Sequence, residues 1–472
     1  MSSYEPLYTA AEMRAAEERY PGYPDTMDEL MERAGRAVAE ELVARFPEAR
    51  SVVVACGGGS NGGDGRIAAT VLREAGLDVR VVELPREDDE EDLPELGDPD
   101  VVVDALFGTG FSGVPRPAAS RLIEAINELG APVVAVDIPS GVDATTGQVQ
   151  GEAARAALTV TFAGRKLGHV VAPGRDLCGE VVVADIGLDE GETNARRALP
   201  EIVREVPLRG PDDSKYSAGM VVVVGGSPGL TGAVCLAAEA ALRADAGYVS
   251  VVAPASSVPI LEVRLLEPVK CAAREDAQGL LVPEALETVV EEAARARAVV
   301  LGPGLGRSDG AQALVRELLQ TLEVPVVLDA DALFGLAPDG WRPPVVLTPH
   351  AGELARLLGT DSFRVQAHRL EAVRACAERF GAVALLKGAD TLVADHEGRI
   401  VVCDQGPPAL ATAGTGDVLS GVLGAFLAKG LEPLDAAAAA ATAHGLAAQR
   451  APHQAGLVAS DLLALLPAVL DR

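Results

Sequence analysis

The sequence has no basic excess. Its 472 residues carry 69 Asp and Glu against 40 Lys and Arg, a formal charge of −29. That balance argues against non-specific nucleic-acid binding, which needs cations to neutralise phosphates. Small phosphorylated molecules stay open, because they require only a local cluster of donors. Cysteine is sparse and scattered: Cys56, Cys178, Cys235, Cys271, Cys376 and Cys403 form no CxxC and no short spacing. This speaks against a zinc site and for a reducing compartment. Several of the six stand among apolar, strand-like neighbours and read as buried small hydrophobes. The N-terminus has neither a basic nor an apolar leader region. The alanine-rich stretch 435–449 is interrupted by Thr442, His444 and Gln449, so it reads as a packed helix and not a membrane span. The expectation is a soluble, cytoplasmic protein without a membrane partner.

What is present is length, glycine and a repeated grammar. A chain of 472 residues exceeds one ordinary core, which favours about two or three domains. The composition is 49% hydrophobic and includes 50 glycines, so burial is not limiting and tight backbone approaches are affordable. Helices are predicted over 10–20 and 26–45. Strands follow at Ser51–Cys56, Val79–Leu84, Val101–Asp104, Val133–Asp137, Leu158–Phe162 and Val181–Ala184, with helices from the end of the Gly57–Gly65 loop to about Ala75, over 117–129 and over part of 150–156. Short apolar runs alternating with helices predict a largely parallel sheet covered on both faces. The six consecutive acids Glu87–Asp92 read as a solvated loop. From Leu188 to Pro211 no periodicity holds, and this segment is the linker candidate. The alternation then restarts with strands at Met220–Val224, Tyr248–Val252, Ala298–Leu301, Val324–Leu328, Val345–Leu347 and Val383–Leu386. A hairpin is predicted from Thr391–Ala394 and Arg399–Cys403. Two restarts predict two α/β domains, 1–205 and 206–472.

In the first domain, Gly57–Gly65 follows a buried strand and precedes a helix. Clustered glycines there free backbone amides beside a positive dipole end, which suits phosphate or pyrophosphate. The run fits neither GxGxxG nor GxxxxGK[ST], so hydride-transfer and Walker-type chemistry have no specific support. Asp104 precedes Ala-Leu-Phe-Gly-Thr-Gly110, and Asp137 precedes Ile-Pro-Ser-Gly-Val-Asp143. Acids at the carboxyl ends of parallel strands converge on the ligand crevice of such sheets. Asp104, Asn61 and Ser140 offer hard oxygens to a cation, although helix capping would use the same atoms. Lys166, in Thr161-Phe-Ala-Gly-Arg-Lys-Leu-Gly-His169, could clamp a phosphate or exchange protons with Asp137.

In the second domain the strongest signal is Ala411-Thr-Ala-Gly-Thr-Gly-Asp-Val-Leu-Ser-Gly421. Gly414, Thr415 and Gly416 leave amides free at a helix start, where they can stabilise phosphoryl oxygens. Asp417 within that nest can take a proton from an attacking alcohol. Lys387-Gly-Ala-Asp-Thr391 follows a strand and suits contacts to phosphate or ribose. His350, in Thr348-Pro-His350, is the functional histidine candidate, whereas His368, His396 and His444 read as structural. Leu301-Gly-Pro-Gly-Leu-Gly306 makes a further close-approach turn. Asp329 and Asp331 close the adjacent strand, where magnesium binding or backbone capping would each account for them.

Taken together, Leu30-Met-Glu-Arg-Ala-Gly35, Asn61-Gly-Gly-Asp-Gly65, Asp104 before its Gly-Thr-Gly, and Asp137-Ile-Pro-Ser-Gly141 resemble the NAD(P)H-hydrate epimerase family. That resemblance implies a Rossmann-like three-layer α/β/α domain that interconverts the C6 epimers of hydrated NADH and NADPH beside a potassium ion. It implies that Asn61, Asp104 and Ser140 hold K⁺. It implies substrate contacts from Asn61, Gly62, Gly63, Asp64 and Asp137, with Lys166 at the family's lysine position. Gly58 and Ser60 depart from the family's usual proline and asparagine. Residues 212–465, with Val223-Val-Gly-Gly-Ser-Pro-Gly229, resemble the ribokinase-like superfamily and within it the NAD(P)H-hydrate dehydratases. There the resemblance implies that Gly304, His350 and Asp417 contact the hydrated dinucleotide. Lys387, Gly388, Ala389, Asp390, Thr391 and Gly416 would hold ADP, with Mg²⁺ on its phosphates. Ser214 precedes Lys215 where a histidine is usual. The implied reaction is phosphorylation of the C6 hydroxyl of the S-hydrate followed by elimination to NADH or NADPH, in a homo-oligomer. A vitamin or hydroxymethyl-pyrimidine kinase with a regulatory N-terminal domain is the competing enzyme reading. A non-enzymatic nucleotide-sensing or scaffolding N-terminal half is the third.

Overall fold

The computed structural model describes residues 2–85 and 94–471, so the acidic run Glu87–Asp92 lies outside the described residues. The chain forms two compact units, one spanning Pro6–Ala195 and the other combining the residues up to Glu5 with the chain from Arg196 onward. Strands are numbered along the chain, beginning with β1 (Tyr4–Leu7).

In the N-terminal unit, β2 (Ser51–Cys56), β3 (Asp78–Glu83), β4 (Val101–Ala105), β5 (Val133–Val136), β6 (Leu158–Phe162) and β7 (Glu180–Ala184) form one sheet in the order β3-β2-β4-β5-β6-β7. Every pairing is parallel. The central strands are valine-rich because both faces are covered, and β4 and β5 are buried throughout. The chain leaves β2 toward β3 and returns to the other side at β4. That reversal opens a crevice at the carboxyl ends of β2 and β4, where Gly57 and Asp104 stand. The expected helix within 150–156 is absent, and that segment runs irregularly beside the unit's apolar core.

The glycine run behaves differently from its reading as a loop. The helix begins at Ser60 and runs to Glu74, so Asn61–Gly65 lie in its first turns. Its glycines supply space and not unusual dihedrals. A Cβ on Gly62 would stand 1.9 Å from the Gly57 carbonyl oxygen, and one on Gly65 would stand 2.5 Å from the Ala105 Cβ. The helix Met27–Arg45 crosses it equally closely, with Gly35 against the Asp64 carbonyl.

The C-terminal unit continues with β8 (Ala195–Ala198), β9 (Met220–Val224), β10 (Tyr248–Pro254), β11 (Val269–Ala273), β12 (Ala298–Leu301), β13 (Val326–Leu328), β14 (Val345–Leu347), β15 (Val383–Leu386), β16 (Thr391–Ala394) and β17 (Ile400–Cys403). The sheet order is β1-β8-β17-β16-β15-β14-β13-β12-β9-β10-β11. From β15 through to β11 the pairings are parallel, while β16 and β17 form the predicted antiparallel hairpin. Here too the chain reverses, between β9 and β12. The segment read as a linker is structural: it supplies β8, and Ile202, Val203 and Val206 enter the core. Arg197 ties it down through Glu5 at 3.0 Å and Asp404 at 2.8 Å. Pro433–Gln449 buries Ala436 through Ala440 against the sheet, the packed alanine helix that its interruptions predict. Among the described residues no helix is long and apolar enough to cross a membrane. All six cysteines are free, five of them buried.

Candidate active sites

In the N-terminal unit a cleft of about 980 Å³ lies over the carboxyl ends of β2 and β4. It is lined by the glycine run from Gly58, by Leu106–Ser112, and by Arg14 and Arg116. It adjoins a deeper pocket of about 70 Å³, walled by Met13, Met27, Leu30 and Met31 with Asp64, Asp137 and Lys166 among its polar groups. Asp137 follows β5 in the left-handed region, with φ at 67°. A non-glycine residue is held there only by surroundings that overdetermine it. Those surroundings are visible. Lys166 Nζ donates to Asp137 Oδ1 at 2.7 Å, to Thr161 Oγ1 at 2.7 Å and to the Phe162 carbonyl at 3.0 Å. Thr161 donates to the same carboxylate oxygen at 2.9 Å, and the Thr109 amide donates to Oδ2 at 3.2 Å. Burial alone would push Asp137 up, but the Lys166 ammonium and these hydrogen bonds hold it below the ordinary carboxylate range.

His169 belongs to this arrangement. Its Nδ1 accepts the Lys166 backbone N–H at 3.0 Å, so Nε2 carries the proton and donates to the Asp137 carbonyl at 2.8 Å. Burial and the neighbouring lysine pull its pKa down to about 3, which keeps it neutral. It positions both members of the pair, a role visible only once β5 and the turn after β6 are adjacent. Asp64 is the contrast. It is nine-tenths buried, and burial pushes it up to about 8, with the charges of Asp137 and Glu17 acting in the same sense.

Beside this pocket, Asp104 is fully buried and has no ion-pair partner among the described residues. Its carboxylate accepts from Ser140 Oγ at 2.6 Å and from the Ser140 amide at 2.8 Å. The Phe107 amide donates to Ser140 Oγ at 2.9 Å. Asn61 lies against Gly108 in the same loop, and both polar atoms of its buried side chain lack a hydrogen-bond partner. An orphaned buried amide against this loop, and a buried carboxyl at its start that has hydrogen bonds but no ionic partner, are oxygen donors that suit a cation.

The C-terminal site is built from strand ends. Asp329, at the end of β13, is 1% exposed. It accepts from Lys387 Nζ and Thr348 Oγ1, both at 2.8 Å, and from Ser420 Oγ at 2.5 Å. Burial would raise its carboxyl, yet Lys387 and these donors keep it below its usual range. The sequence offered magnesium or backbone capping for Asp329 and Asp331. In the structure Asp329 is the counter-ion of Lys387, and Asp331 accepts from the Gly306 amide at 3.0 Å and Arg307 Nε at 2.7 Å. Lys387 also reaches Gly416, whose Cβ position would lie 3.2 Å from its Nζ. Gly414 caps the helix Thr415–Ala428 with φ at 89°, a conformation that glycine adopts without strain. Asp417 sits in the first turn of that helix. Burial pushes its carboxyl up to about 7, the Asp329 charge adds to this, and Lys387 pulls against it.

Other sequence candidates fall in less direct positions. His350 caps the helix Ala351–Leu358, its Nδ1 accepting from the Gly352 amide at 3.0 Å, while the ring remains half exposed. Asp390 is buried in an ion pair with Arg369 at 3.1 Å, and Thr391 Oγ1 donates to the Gly388 carbonyl at 3.0 Å. Gly304, with φ at 62°, packs against Leu230 after β12, and its carbonyl accepts the Ser227 amide at 2.7 Å.

The profile described as NAD(P)H-hydrate dehydratase matches residues 221–468, and that described as YjeF-related protein N-terminus matches 27–93 and 82–168. The bifunctional NAD(P)H-hydrate repair enzyme Nnr of Moorella thermoacetica is 40% identical, with 98% of this chain and 96% of the relative covered. The chain belongs to the bifunctional NAD(P)H-hydrate repair enzyme family. The family's relative from Coxiella burnetii is 39% identical over 92% of this chain and 93% of its own. The ADP/ATP-dependent NAD(P)H-hydrate dehydratase of Bacillus subtilis, co-crystallised with ATP and Mg²⁺, superposes with a TM-score of 0.51 at 29% identity. It covers 57% of this chain and 96% of that protein. Membership in the repair family sets the vitamin-kinase and scaffold readings aside.

Proposed function

We propose that the chain repairs hydrated NADH and NADPH at two sites: residues 1–205 interconvert the R and S epimers at C6, and residues 206–472 dehydrate the S epimer with ADP. The observation that carries this is the meeting of Lys387, Gly416 and Asp417 at one helix start, where a base stands among groups that hold phosphate. At this site the amides of Gly414, Thr415 and Gly416, with Lys387 and the segment through Gly388, Ala389, Asp390 and Thr391, receive the phosphates and ribose of ADP. Gly304, His350 and Asp417 face the hydrated ring. Asp417 accepts the proton of the C6 hydroxyl as its oxygen takes a phosphoryl group from ADP. The ring nitrogen then expels inorganic phosphate, C5 loses a proton, and AMP and NADH or NADPH result. Bound Mg²⁺ neutralises the phosphate charge.

At the epimerase site Asp137 and Lys166 act on the ring, and Asn61, Gly62, Gly63 and Asp64 contact the substrate. Asn61, Asp104 and Ser140 hold K⁺, whose positive charge offsets the buried Asp104. The orphaned Asn61 side chain supports this reading. A cytoplasmic setting and a homo-oligomer complete it.

The test is absorbance at 340 nm after adding protein, ADP and Mg²⁺ to mixed R- and S-hydrated NADH, beside Asp137→Ala. Full recovery by the wild type, with the variant stalling near the S fraction, is expected. No recovery with either ADP or ATP would overturn the dehydratase reading. Potassium-dependent epimerisation lost in Asn61→Ala would separate the ion site from the fold.

A further inference from the structure

The deep pocket of the N-terminal unit contains two carboxyl groups in opposite situations. Asp137 is saturated: Lys166 and Thr161 occupy one oxygen, the Thr109 amide takes the other, and His169 holds its backbone. It is therefore ionised and immobile. Asp64 lines the same pocket from a different element, the helix Ser60–Glu74. It is nine-tenths buried, and its side chain has neither a hydrogen bond nor an ion pair among the described residues. Its backbone is fixed, because Gly35 of the crossing helix packs against its carbonyl with no room for a Cβ. Glu17 of the same pocket is likewise pushed up by burial, while Lys166 is spent on three acceptors and His169, beside the pair, is neutral. Arg14 stands on the wider cleft. A buried carboxyl left without a partner, facing an ionised one across a small pocket, is the arrangement of a proton donor and a proton acceptor.

We infer that Asp64 is the second catalytic group of the epimerase site, delivering a proton to the ring nitrogen N1 as Asp137 takes the proton of the C6 hydroxyl. The inference rests on the epimerase reading above. In the forward step the O–H bond breaks toward Asp137 and the C6=O bond forms. The C6–N1 bond breaks, and its electron pair takes the proton from Asp64. The product is an open-chain aldehyde with a secondary enamine nitrogen. A half-turn about C5–C6 presents the other carbonyl face. N1 then attacks C6 while returning its proton to Asp64, and the oxygen recovers its proton from Asp137. Water, oxidant and second substrate are not consumed, and both carboxyl groups finish each turnover as they began. Asp64 suits the donor role through neutral pH because burial, Asp137 and Glu17 hold its proton up to about 8.

The experiment uses the full chain with purified R-hydrated NADH, following conversion to the S epimer by chromatography for wild type, Asp64→Asn, Asp64→Glu and Asp137→Ala. Thermal melting and circular dichroism of the same preparations report intact folding of the N-terminal unit, and dehydration of S-hydrated NADH reports the separate C-terminal site. Asp64→Asn is expected to lower kcat for epimerisation by about 100-fold or more. It should change KM by less than about threefold and abolish the fall in rate as pH rises through about 8. Asp64→Glu should keep part of the rate and the alkaline fall. Asp64→Asn with near-wild-type kcat, or with its whole loss in KM, would overturn the inference and leave Asp64 a binding residue. If wild type and Asp137→Ala both match the spontaneous rate, the epimerase reading itself fails and takes this step with it.

Discussion

The two sites use the same charges in different frames. Each contains a lysine paired with a buried aspartate at a strand end, Lys166 with Asp137 at 2.7 Å and Lys387 with Asp329 at 2.8 Å. Each sets beside that pair an aspartate whose carboxyl burial pushes up, Asp64 to about 8 and Asp417 to about 7. The frames diverge in their glycines. Around the first site, Gly62 and Gly65 keep ordinary helical dihedrals and are needed for space against Gly57 and Ala105. Around the second, Gly304 and Gly414 have φ of 62° and 89°, so they are needed for their backbone angles. One site is a helix pressed onto a sheet. The other is a pair of left-handed glycine turns, one after a strand and one at a helix start. A shared pairing of lysine and aspartate therefore says where a parallel sheet concentrates charge, while the surrounding backbone says what the charge is for.

The largest effects should come from separating the sites. Asp417→Asn should cost dehydration roughly 10²–10⁴-fold while epimerisation continues, and Asp137→Ala should do the reverse. Steady-state assays with single epimers read both, and joint loss in either variant would break the separation. Next come the lysines. Removing one partner of a buried pair costs about 3–5 kcal/mol, so Lys166→Met should approach that figure in urea unfolding. Lys387→Met should lose less, because its side chain is 22% exposed against 2% for Lys166. Equal losses would mean that exposure does not distinguish the pairs.

The pH profiles sharpen the comparison further. Asp417 must be ionised to act as a base, so dehydration should rise as pH climbs through about 7. Asp64 must keep its proton, so epimerisation should fall through about 8. The linkage sign is common to both. A carboxyl raised above its unfolded value favours folding at low pH, and that contribution is lost as pH rises through the folded value. Asp137 and Asp329 are depressed, so their contribution is present above the ordinary carboxylate range and lost as pH falls through the folded values. The smallest effect belongs to Gly414. Gly414→Ala should cost about 1–2 kcal/mol for its left-handed backbone, and Gly414→Asn somewhat less, measured by thermal melting.

Much of this was readable in one dimension. The alternation of short valine-rich runs with helices, restarting near Met220, determined two parallel-sheet units, because strands buried on both faces must be apolar throughout. The motifs Asn61–Gly65, Asp104, Asp137 and Gly414–Asp417 stood at strand ends or helix starts, where the covalent order already directs them to a sheet's carboxyl edge. Tertiary structure decided what depends on adjacency between distant segments. It drew β1 and β8 into the second sheet, although the segment around Ala195–Ala198 lacks the periodicity of a buried strand. It moved Asn61–Gly65 from a loop into a helix, because only packing against Gly57 and Ala105 reveals why glycine is required there. It paired Lys387 with Asp329 across 58 positions and Arg369 with Asp390 across 21. It gave His169 both of its hydrogen bonds. A sequence fixes which groups are available and the order in which strands present them; desolvation and partner choice, which set how each carboxyl titrates, exist only once the chain is folded.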